Sequence, residues 1–512
     1  MTIRSSTSIS KGSSFSGGSI SHINLGNTSV PARAMTNHER YNLVRQNTGY
    51  PHIIAYIITF PAHALPSREH LENRVADLQR KFPKLYARIV NARTNKPAFA
   101  ANGSPWDAAD IINEGTYTPA KIEANEAPGI LRAEMERFES LDFDHVPMWT
   151  LTLLYGPPGV PRAYLIGMFN HLIIDGRGSL ALMHALLARN TENLLPETFE
   201  SPRRFDDTVN IKPGITYLAP EVFHELLLPK LPKGFQSTFG KNDLAWPGTN
   251  VNLSPFASGW SMCHVSVPTG TVARLKAQGK RYGVKTLHPV LKMAYLAALW
   301  RTFGNDSTQH FNAMTMRDER DPSLGHSQLT GIYSSSTEHH VHVNGKDRFW
   351  SCARKMAAEL KSKKAIADGR YIIGVMSHLP DPEVDPKSPD FDPKAPTGWE
   401  KYFLRRTMGP IPYRQSLAFS NMCQTSLPEG ATDLMWAQTA SPIAPAFSVN
   451  VISHENGLRL TATFRENSAA TKYQTDLMHK TWLRCIDRII TTEGDRTIAE
   501  LTADNSGESA WI

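Results

Sequence analysis

The 512-residue chain contains few cysteines and has no long apolar segment. Its four cysteines are scattered, and none lies within CxxC spacing of another. This argues against a disulfide framework and against a cysteine-based zinc site, and it favours the reducing cytoplasm. No apolar run reaches the roughly 18 residues that a transmembrane helix needs. The N-terminal segment has no apolar core of the kind found in secretory signals, so neither a membrane span nor secretion is expected.

The sequence also lacks a concentrated basic block. It has 55 Lys and Arg residues against 48 Asp and Glu residues, a net charge of +7, and the basic residues are spread along the chain. Such a distribution is typical of a solvated surface, so no nucleic-acid partner is expected. A G-x-S-x-G nucleophile elbow and an HExxH zinc motif are absent. The segment Gly234–Lys241 has one residue too many for a phosphate-binding P-loop.

Composition divides the chain into a tail, two lobes and a linker. Residues 1–35 are rich in Ser, Gly and Thr, which predicts a disordered tail. Residues 36–200 are the predicted N-terminal lobe, and residues 257–505 are the predicted C-terminal lobe. Between them, residues 201–256 lose hydrophobic periodicity and gain prolines, which indicates a crossover linker. A second Pro-rich stretch near 378–400 is interpreted as an insertion in the C-terminal lobe.

Strands and helices are predicted in the N-terminal lobe from its apolar runs. The β-branched run Tyr50–Ile58 is the first predicted strand. A helix capped by Ser67 follows it and ends before Pro83. The apolar runs at 146–154 and 163–169 predict two more strands, and the second of these is continuous enough to be buried on both faces. Ser179 is the predicted cap of the next helix.

The C-terminal lobe shows the same mixture of elements. A helix capped by Thr286 is predicted over Leu287–Arg301. Asn456-Gly457 lies between two strand-like runs, which predicts a tight hairpin. A last amphipathic helix is predicted over Lys472–Ile490.

The segment Asn170-His171-Leu172-Ile173-Ile174-Asp175-Gly176 lies between the second buried strand and a predicted helix. His171 and Asp175 are therefore polar residues at the point where the chain leaves a sheet, and functional residues often lie at such points. One interpretation is therefore a functional site at this loop. The alternative is a core histidine that hydrogen bonds to Asp175 and only fixes the loop. The residues alone fit both interpretations.

Two other patterns carry weaker signals. Gly176–Ala181 matches the GxGxxA dinucleotide fingerprint, but no series of βαβ units surrounds it and the turn already explains its glycines. His340 and His342, next to His339, would share one face of a strand, as two metal ligands require, but no cysteine lies nearby in the sequence. Neither a metal nor a bound cofactor is expected.

His171-Leu172-Ile173-Ile174-Asp175-Gly176 resembles the HxxxDG motif of the CoA-dependent acyltransferase superfamily, which includes chloramphenicol acetyltransferase and peptide-synthetase condensation domains. Further segments agree with that superfamily in chain order over roughly residues 40–490: Arg80–Leu85, Val284–Leu287, Met314–Arg317, Gly331–Tyr333 and Ala418–Asn421. Asn170 departs from the His that many members carry there, and the Asp-Phe-Gly-Trp-Gly motif of the plant branch is missing. The Ser-rich head and the Pro-rich insertion resemble fungal trichothecene 15-O-acetyltransferases and related secondary-metabolite enzymes.

The resemblance implies an α/β fold of two chloramphenicol-acetyltransferase-like lobes, each a mixed sheet with helices, and an active-site channel between them. The implied reaction transfers an acetyl group from acetyl-CoA, as co-substrate, to a hydroxyl of a secondary metabolite, namely the C-15 hydroxyl of a trichothecene-type sesquiterpenoid. The mycotoxins made by fungi include such compounds.

The resemblance also implies roles for individual residues. His171 is the implied general base, and Asp175 is the loop carboxylate, with Arg317 as its ion-pair partner. Gly176 is expected to let the pantetheine arm approach the backbone. Ser420 and Asn421 are candidates for contact with the oxyanion or the substrate, and the alternative for both is a strand end that caps its own backbone.

Two other functions remain open on the same fold. A condensation-type acyltransferase would take its acyl group from a carrier protein, and since the sequence contains no carrier domain, that donor would be a separate protein. A non-catalytic binding protein would have no need of both His171 and Asp175. For the acetyltransferase, the expected partners are an alcohol and an acyl-CoA, and the expected state is a monomer.

Overall fold

The computed structural model describes residues 32–100, 104–119, 126–239, 245–247, 259–304, 306–383, 385, 387–389, 391–392, 394–409, 412–443 and 445–504. Most of the predicted tail, residues 1–35, therefore lies outside the described residues. Its last part does not follow the prediction, because Arg33 and Ala34 pair with Phe99 and Ala98 in a short antiparallel ladder.

The β-strands of the described chain, in chain order, are β1 (Arg33–Ala34), β2 (Ile53–Pro61), β3 (Arg88–Val90), β4 (Ala98–Ala100), β5 (Ile112–Thr116), β6 (Trp149–Tyr155), β7 (Arg162–Asn170), β8 (Trp260–Val267), β9 (Gln309–Asp318), β10 (Ser334–Val343), β11 (Leu417–Gln424), β12 (Asp433–Gln438), β13 (Phe447–His454) and β14 (Gly457–Arg465).

The α-helices of the described chain are α1 (Asn37–Asn47), α2 (Arg68–Lys81), α3 (Ala108–Ile111), α4 (Ala127–Glu139), α5 (Gly176–Leu187), α6 (Phe205–Thr208), α7 (Ile215–Val222), α8 (Lys233–Phe239), α9 (Thr269–Arg281), α10 (Leu287–Phe303), α11 (Phe349–Glu359), α12 (Lys363–Val375), α13 (Gly398–Thr407), α14 (Lys472–Thr491) and α15 (Ile498–Thr502). Shorter helical turns of other types are Ala62–Ala64, Pro83–Tyr86, Phe223–Leu227, Leu228–Lys230, Pro322–Leu324 and Met376–His378.

The N-terminal lobe is built on a mixed sheet with the strand order β12-β2-β7-β6-β5. β2 and β7 are central and almost wholly buried, which explains why their sequences are continuous apolar runs rather than alternating ones. α2 begins at Ser67, whose hydroxyl accepts a hydrogen bond from the backbone N–H of His70 at 3.2 Å. The predicted cap of this helix is confirmed, and its apolar face packs into the lobe core through Leu71, Val75 and Leu78.

The C-terminal lobe has a second mixed sheet with the strand order β10-β9-β11-β13-β14-β8. The predicted hairpin is confirmed, because β13 and β14 pair antiparallel and Gly457 has a φ of +120° that side-chain-bearing residues avoid. α10 and α14 pack on this sheet and form its core together with the strands. α10 is apolar on nearly all sides because it is buried all round.

The boundary between the lobes is not the linear one that composition predicts. β12 belongs by sequence to the segment 257–505, yet it pairs antiparallel with β2 at the edge of the N-terminal sheet. Thr461 and Thr463 of β14 donate hydrogen bonds to the carbonyl oxygens of Trp436 and Gln438 in β12, at 2.6 and 2.7 Å. The C-terminal half of the chain therefore completes the N-terminal sheet.

The structure describes parts of the predicted linker and of the predicted insertion. Residues 201–256 contain the short helices α6, α7 and α8, and part of this segment lies outside the described residues. The Pro-rich stretch near 378–400 ends inside α13, which begins with a capping box formed by Thr397 and Glu400. None of the helices in the described chain combines the length and the apolar character needed to cross a bilayer.

Candidate active site

The loop that carries His171 starts where β7 ends. The Asn170 side chain accepts a hydrogen bond from the backbone N–H of Leu172 at 3.0 Å and donates one to the side chain of Gln46 at 2.7 Å. The backbone N–H of His171 donates to the carbonyl oxygen of His52 at 2.7 Å, which continues the β2–β7 pairing by one residue. Asn170 is thus a buried residue whose side chain shapes the turn.

His171 lies in the wall of a cavity of about 310 Å³ between the two lobes. A volume of this size is at the lower end of the range that small-molecule sites occupy. The N-terminal lobe contributes residues of α1 together with His52 and His171, and the C-terminal lobe contributes, among others, Met314, Ser334, Ser336, Ala418 and Ser448. The resemblance implied an active site between the lobes, and this cavity lies between them.

His171 lines the cavity, and one of its two ring nitrogens is buried. Its Nδ1 atom is buried and makes no hydrogen bond to the side chain of another described residue. Burial lowers the pKa of His171, and the negative charge of Asp175 acts in the opposite direction. A lowered pKa keeps the imidazole neutral at neutral pH, and the neutral form is the one that can accept a proton.

Asp175 does not serve as the hydrogen-bond partner of His171. Its Oδ1 accepts from Arg320 at 3.0 Å and from the backbone N–H of Gly178 at 2.8 Å, and its Oδ2 accepts from the backbone N–H of Tyr333 at 2.8 Å. Burial alone would raise the pKa of this carboxyl, but the Arg320 guanidinium and the two N–H donors bring the pKa below its usual value. The interpretation of His171 as a core histidine bonded to Asp175 therefore finds no support in these contacts.

The predicted ion-pair partner of Asp175, Arg317, is wrong, and the observed partner is Arg320. Arg317 pairs with Glu319 at 3.1 Å and is 41% exposed, whereas Arg320 is 8% exposed and holds Asp175. Arg317 belongs to β9, whose side chains alternate between the faces of the sheet, but Arg320 lies beyond the strand end in the loop that returns toward the HxxxDG segment. The spacing of the family pattern selected the strand residue, and only the loop path identifies the correct one.

Backbone hydrogen bonds fix the HxxxDG segment to the C-terminal half of the chain. The N–H of Asp175 donates to the carbonyl oxygen of Gly331 at 3.0 Å, and the N–H of Gly331 donates to the carbonyl oxygen of Ile173 at 2.7 Å. Gly331 has a φ of +81°, and this conformation, which glycine adopts without strain, places its two polar groups opposite the loop. Two segments that resemble the superfamily, at 171–176 and 331–333, are therefore in direct contact.

The helix after the loop begins earlier than predicted. Its N-cap is Asp175, not Ser179, which lies inside α5 and donates its hydroxyl to the carbonyl oxygen of Gly176 at 3.1 Å. Because the Asp175 carboxylate already occupies the N–H of Gly178, that amide is not free for the pyrophosphate of a dinucleotide. This contact argues against the GxGxxA interpretation of Gly176–Ala181.

Gly176 is closely packed by neighbouring side chains. A Cβ atom at this position would overlap the Cε of Met422, and its carbonyl oxygen accepts a hydrogen bond from Tyr56 Oη at 2.8 Å. The structure thus explains the glycine by close packing with β11. Its expected contact with a pantetheine arm stays a prediction.

Ser420 and Asn421 lie on β11 beyond Ala418, which lines the cavity, but neither is among the described residues of the cavity wall. The Asn421 side chain accepts a hydrogen bond from the backbone N–H of Cys423 at 2.8 Å, at a point where the β11–β13 register shifts. This is the self-capping role that was the alternative for Asn421. Contact of either residue with an oxyanion or a substrate stays a prediction.

Helix α1 supplies site residues that the sequence analysis missed. Four residues of this helix line the cavity: His38, Tyr41, Asn42 and Arg45. Their spacing of three, one and three positions places them on one face of the helix. The helix begins with a capping box in which Thr36 and Glu39 exchange hydrogen bonds. The pattern Thr36-Asn37-His38-Glu39 was the signal that could have predicted this helix.

Arg45 is a buried cation whose charge acts on His52 and His171, two of the histidines in the cavity wall. It is 3% exposed, and its Nε donates to the carbonyl oxygen of Tyr50 at 3.2 Å. Its charge lowers the pKa of both His52 and His171, although burial is the larger cause for each. Arg45 therefore helps to keep His52 and His171 neutral.

The histidines of β10 do not form a metal site with the described part of the chain. His339 is buried and lies 3.3 Å from Glu359, whereas His340 Nδ1 lies 3.3 Å from His310 Nε2 on the neighbouring strand. Among the described residues, no group of three His, Cys, Asp or Glu side chains is placed to hold a metal ion.

Comparisons with known proteins identify the fold. The condensation domain of the monacolin K polyketide synthase superposes with a TM-score of 0.58 at 10% identity, over 92% of this chain and 99% of that one. The epimerization domain from the third module of tyrocidine synthetase B gives 0.56 at 12% identity, over 90% and 96%. The first condensation domain of the CDA synthetase gives 0.56 at 12% identity, over 92% and 99%. The chain has the condensation-domain fold. No family model and no curated protein matches the sequence.

The condensation-domain fold confirms the predicted fold class of two lobes, each a mixed sheet with helices. Condensation and epimerization domains belong to the chloramphenicol-acetyltransferase-like superfamily, which is the superfamily that the segment 171–176 resembles. At these identities the likeness shows the fold, and the chemistry has to be argued from the site.

Proposed function

We propose that this chain is an acyltransferase in which His171 takes the proton of an alcohol while the alcohol oxygen attacks an acyl thioester. The observation that carries the proposal is the position of a half-buried, neutral imidazole in the wall of a cavity between the lobes of a condensation-domain fold. A base of this kind accelerates the catalysed reaction by about 10²–10⁴-fold.

The steps balance with the residues at hand. The His171 imidazole accepts the hydroxyl proton as the new C–O bond forms, and the imidazolium then gives that proton to the thiolate as the C–S bond breaks. Holding both substrates in one cavity adds to the rate because the reaction becomes effectively unimolecular. Asp175 and Arg320 act through the loop, since their hydrogen bonds fix the segment that carries His171.

For the substrates, we propose acetyl-CoA as the donor and a hydroxyl of a secondary metabolite as the acceptor, with the C-15 hydroxyl of a trichothecene-type sesquiterpenoid as the first to test. Support for this choice comes from the resemblance of the sequence to fungal acetyltransferases. The wall residues Met314, Ile332, Ile373 and Ile443 offer apolar surface to a hydrocarbon skeleton of that type.

The decisive experiment measures thiol release from acetyl-CoA with a panel of sesquiterpenoid and simple alcohols. Alcohol-dependent release is expected for the wild type and is expected to fall by about 10²-fold or more in His171→Ala, while binding of CoA by calorimetry stays unchanged. His184→Ala is the matched control, because His184 is a half-buried histidine of α5 that contacts Thr425 and is not part of the cavity wall. Equal rates for wild type and His171→Ala would contradict the role of His171.

A carrier-bound acyl donor is the second candidate, because the structural neighbours are condensation and epimerization domains of multidomain synthetases. Acetylated carrier protein assayed beside free acetyl-CoA separates the two donors. Transfer from the carrier alone would favour the condensation-type reaction, and binding without transfer from either donor would favour a non-catalytic protein.

A further inference from the structure

A second histidine lies against the proposed base. The imidazoles of His52 and His171 are stacked, with ring centroids 4.5 Å apart and planes inclined by 27°. The β2–β7 register, in which Ile53 pairs with Asn170, brings the two residues side by side at the strand ends. Both line the cavity.

Asn42 of α1 is the hydrogen-bond partner of Nδ1 in the His52 ring, which also forms a side-chain hydrogen bond with Gln438. Its amide nitrogen donates to the carbonyl oxygens of His38 at 3.1 Å and of His171 at 3.4 Å. Its Oδ1 is therefore an acceptor, and the His52 Nδ1 atom, 3.3 Å away, is the donor. Burial and the charges of Arg45 and His171 hold the pKa of His52 well below its ordinary value, although the hydrogen bond with Gln438 acts in the opposite direction. The ring is therefore neutral with its proton on Nδ1.

The His171 ring needs such a neighbour. No hydrogen bond from the side chain of another described residue fixes its Nδ1, and a histidine ring without a fixed partner samples several rotamers. The flat face of His52 is the contact that limits this rotation. Because His52 is neutral, it also adds no like-charge repulsion when His171 takes a proton.

We propose that His52 is a positioning residue whose stacked ring, oriented by Asn42, holds the His171 imidazole with its Nε2 directed into the cavity. This inference rests on the proposed function of His171, but it concerns the geometry of the base rather than the identity of the substrates. No contact between His52 and a substrate is required.

Three variants of the full chain separate the stack from the hydrogen bond. His52→Phe keeps a flat ring, His52→Asn keeps a donor near Asn42 but no ring, and His52→Ala keeps neither. We expect kcat to stay within about 3-fold of the wild type in His52→Phe and to fall about 10- to 100-fold in His52→Asn and His52→Ala, since misaligned reacting groups lose rate in this range. The KM values for donor and alcohol are expected to change little. Full activity in His52→Ala, or an equal loss in His52→Phe and His52→Ala, would overturn the proposal.

A spectroscopic measurement tests the geometry without turnover. In the wild type, the imidazole proton resonances of His171 should carry the ring-current shift of a stacked neighbour, keep it in His52→Phe, and lose it and broaden in His52→Ala. Unchanged His171 resonances in His52→Ala would refute the positioning role. If the resonances behave as expected but no thioester and alcohol pair shows His171-dependent transfer, the inference about His52 holds and the proposed reaction is wrong.

Discussion

Arg320 is the buried cation that pairs with the Asp175 carboxylate. Its guanidinium donates to Asp175 Oδ1 at 3.0 Å and to the carbonyl oxygen of Ser327 at 2.6 Å, and it lies 5.0 Å from the centre of the Tyr333 ring. Removing one member of a buried ion pair leaves the other charged and unsolvated, which is more costly than the pair itself is stabilising. The contrast with the partly exposed Arg317 gives a direct test.

Arg320→Ala is expected to lower the free energy of unfolding by about 3–5 kcal/mol, because it leaves the Asp175 carboxylate buried without its ion-pair partner. Arg317→Ala removes only a partly exposed pair with Glu319 and is expected to cost about 0–1 kcal/mol. Urea unfolding of both variants beside the wild type measures the difference. Equal losses in the two variants would show that Asp175 does not depend on Arg320.

A second buried charge, Lys292, lies away from the cavity in α10. It is fully buried, and its ammonium donates to Thr315 Oγ1 at 2.7 Å and to the carbonyl oxygen of Ala313 at 3.0 Å. Burial lowers its pKa from 10.5 to about 7. Between these two pH values the unfolded chain binds a proton that the folded chain does not, so the contribution of Lys292 to stability rises with pH.

Lys292→Met should remove this pH dependence. The free energy of unfolding of the wild type is expected to rise relative to that of the variant by up to about 1.4 kcal/mol per pH unit, beginning near pH 7 and continuing into the alkaline range. Denaturant titrations at pH 7, 8 and 9 provide the measurement. Parallel curves for the two proteins would mean that the folded protein holds Lys292 charged throughout.

At the scale of elements, the cavity wall depends on how closely α12 approaches β10. A Cβ atom at Gly369 would overlap the carbonyl oxygen of Ser336, and Ser336 lines the cavity. Ile372, Ile373 and Val375 of the same helix also line it. The glycine thus brings an apolar helix into contact with a strand on which the site is built.

Gly369→Ala is expected to destabilise the protein by about 1–3 kcal/mol through overpacking, and to raise the KM for the alcohol because Ser336 must move. Gly270→Ala in α9 is the matched control. A Cβ there meets no atom within 4 Å, so the substitution should be neutral or stabilising by up to about 1 kcal/mol. Thermal unfolding and steady-state kinetics of both variants test this, and a Gly369→Ala protein as stable as the wild type would show that the helix can shift without cost.

At the scale of the whole molecule, the two lobes are not independent units. β12 passes from the C-terminal half into the N-terminal sheet, and the loops at 171–176 and 331–333 exchange backbone hydrogen bonds. The cavity forms where these crossings bring the sheets together. His171 from one lobe and Ser336, Ala418 and Ser448 from the other can therefore share one wall.

Elements that depend on residues close together in the chain could mostly be predicted from the sequence. The continuous apolar runs of β2 and β7, the Ser67 cap and the Asn456-Gly457 hairpin follow from periodicity and turn chemistry, and the structure contains them. The capping box of Thr36 and Glu39 is equally local. The apolar pattern of α1 is too weak to be recognised from periodicity, because the helix buries polar residues beside Leu43 and Val44. The HxxxDG segment was found because its His and Asp lie where a buried strand ends and because its spacing resembles a known motif.

Tertiary structure decided what depends on contacts between residues far apart in the chain. The choice of Arg320 over Arg317, the transfer of β12 to the other sheet and the stack of His52 on His171 each join segments separated by many residues. Strand alternation and helix periodicity give a side chain its face but not its partner, since the partner is set by how loops return and how sheets pack. The sequence by itself therefore determined the class of fold and the loop that carries the candidate base, and the packing of the lobes decided which residues surround it.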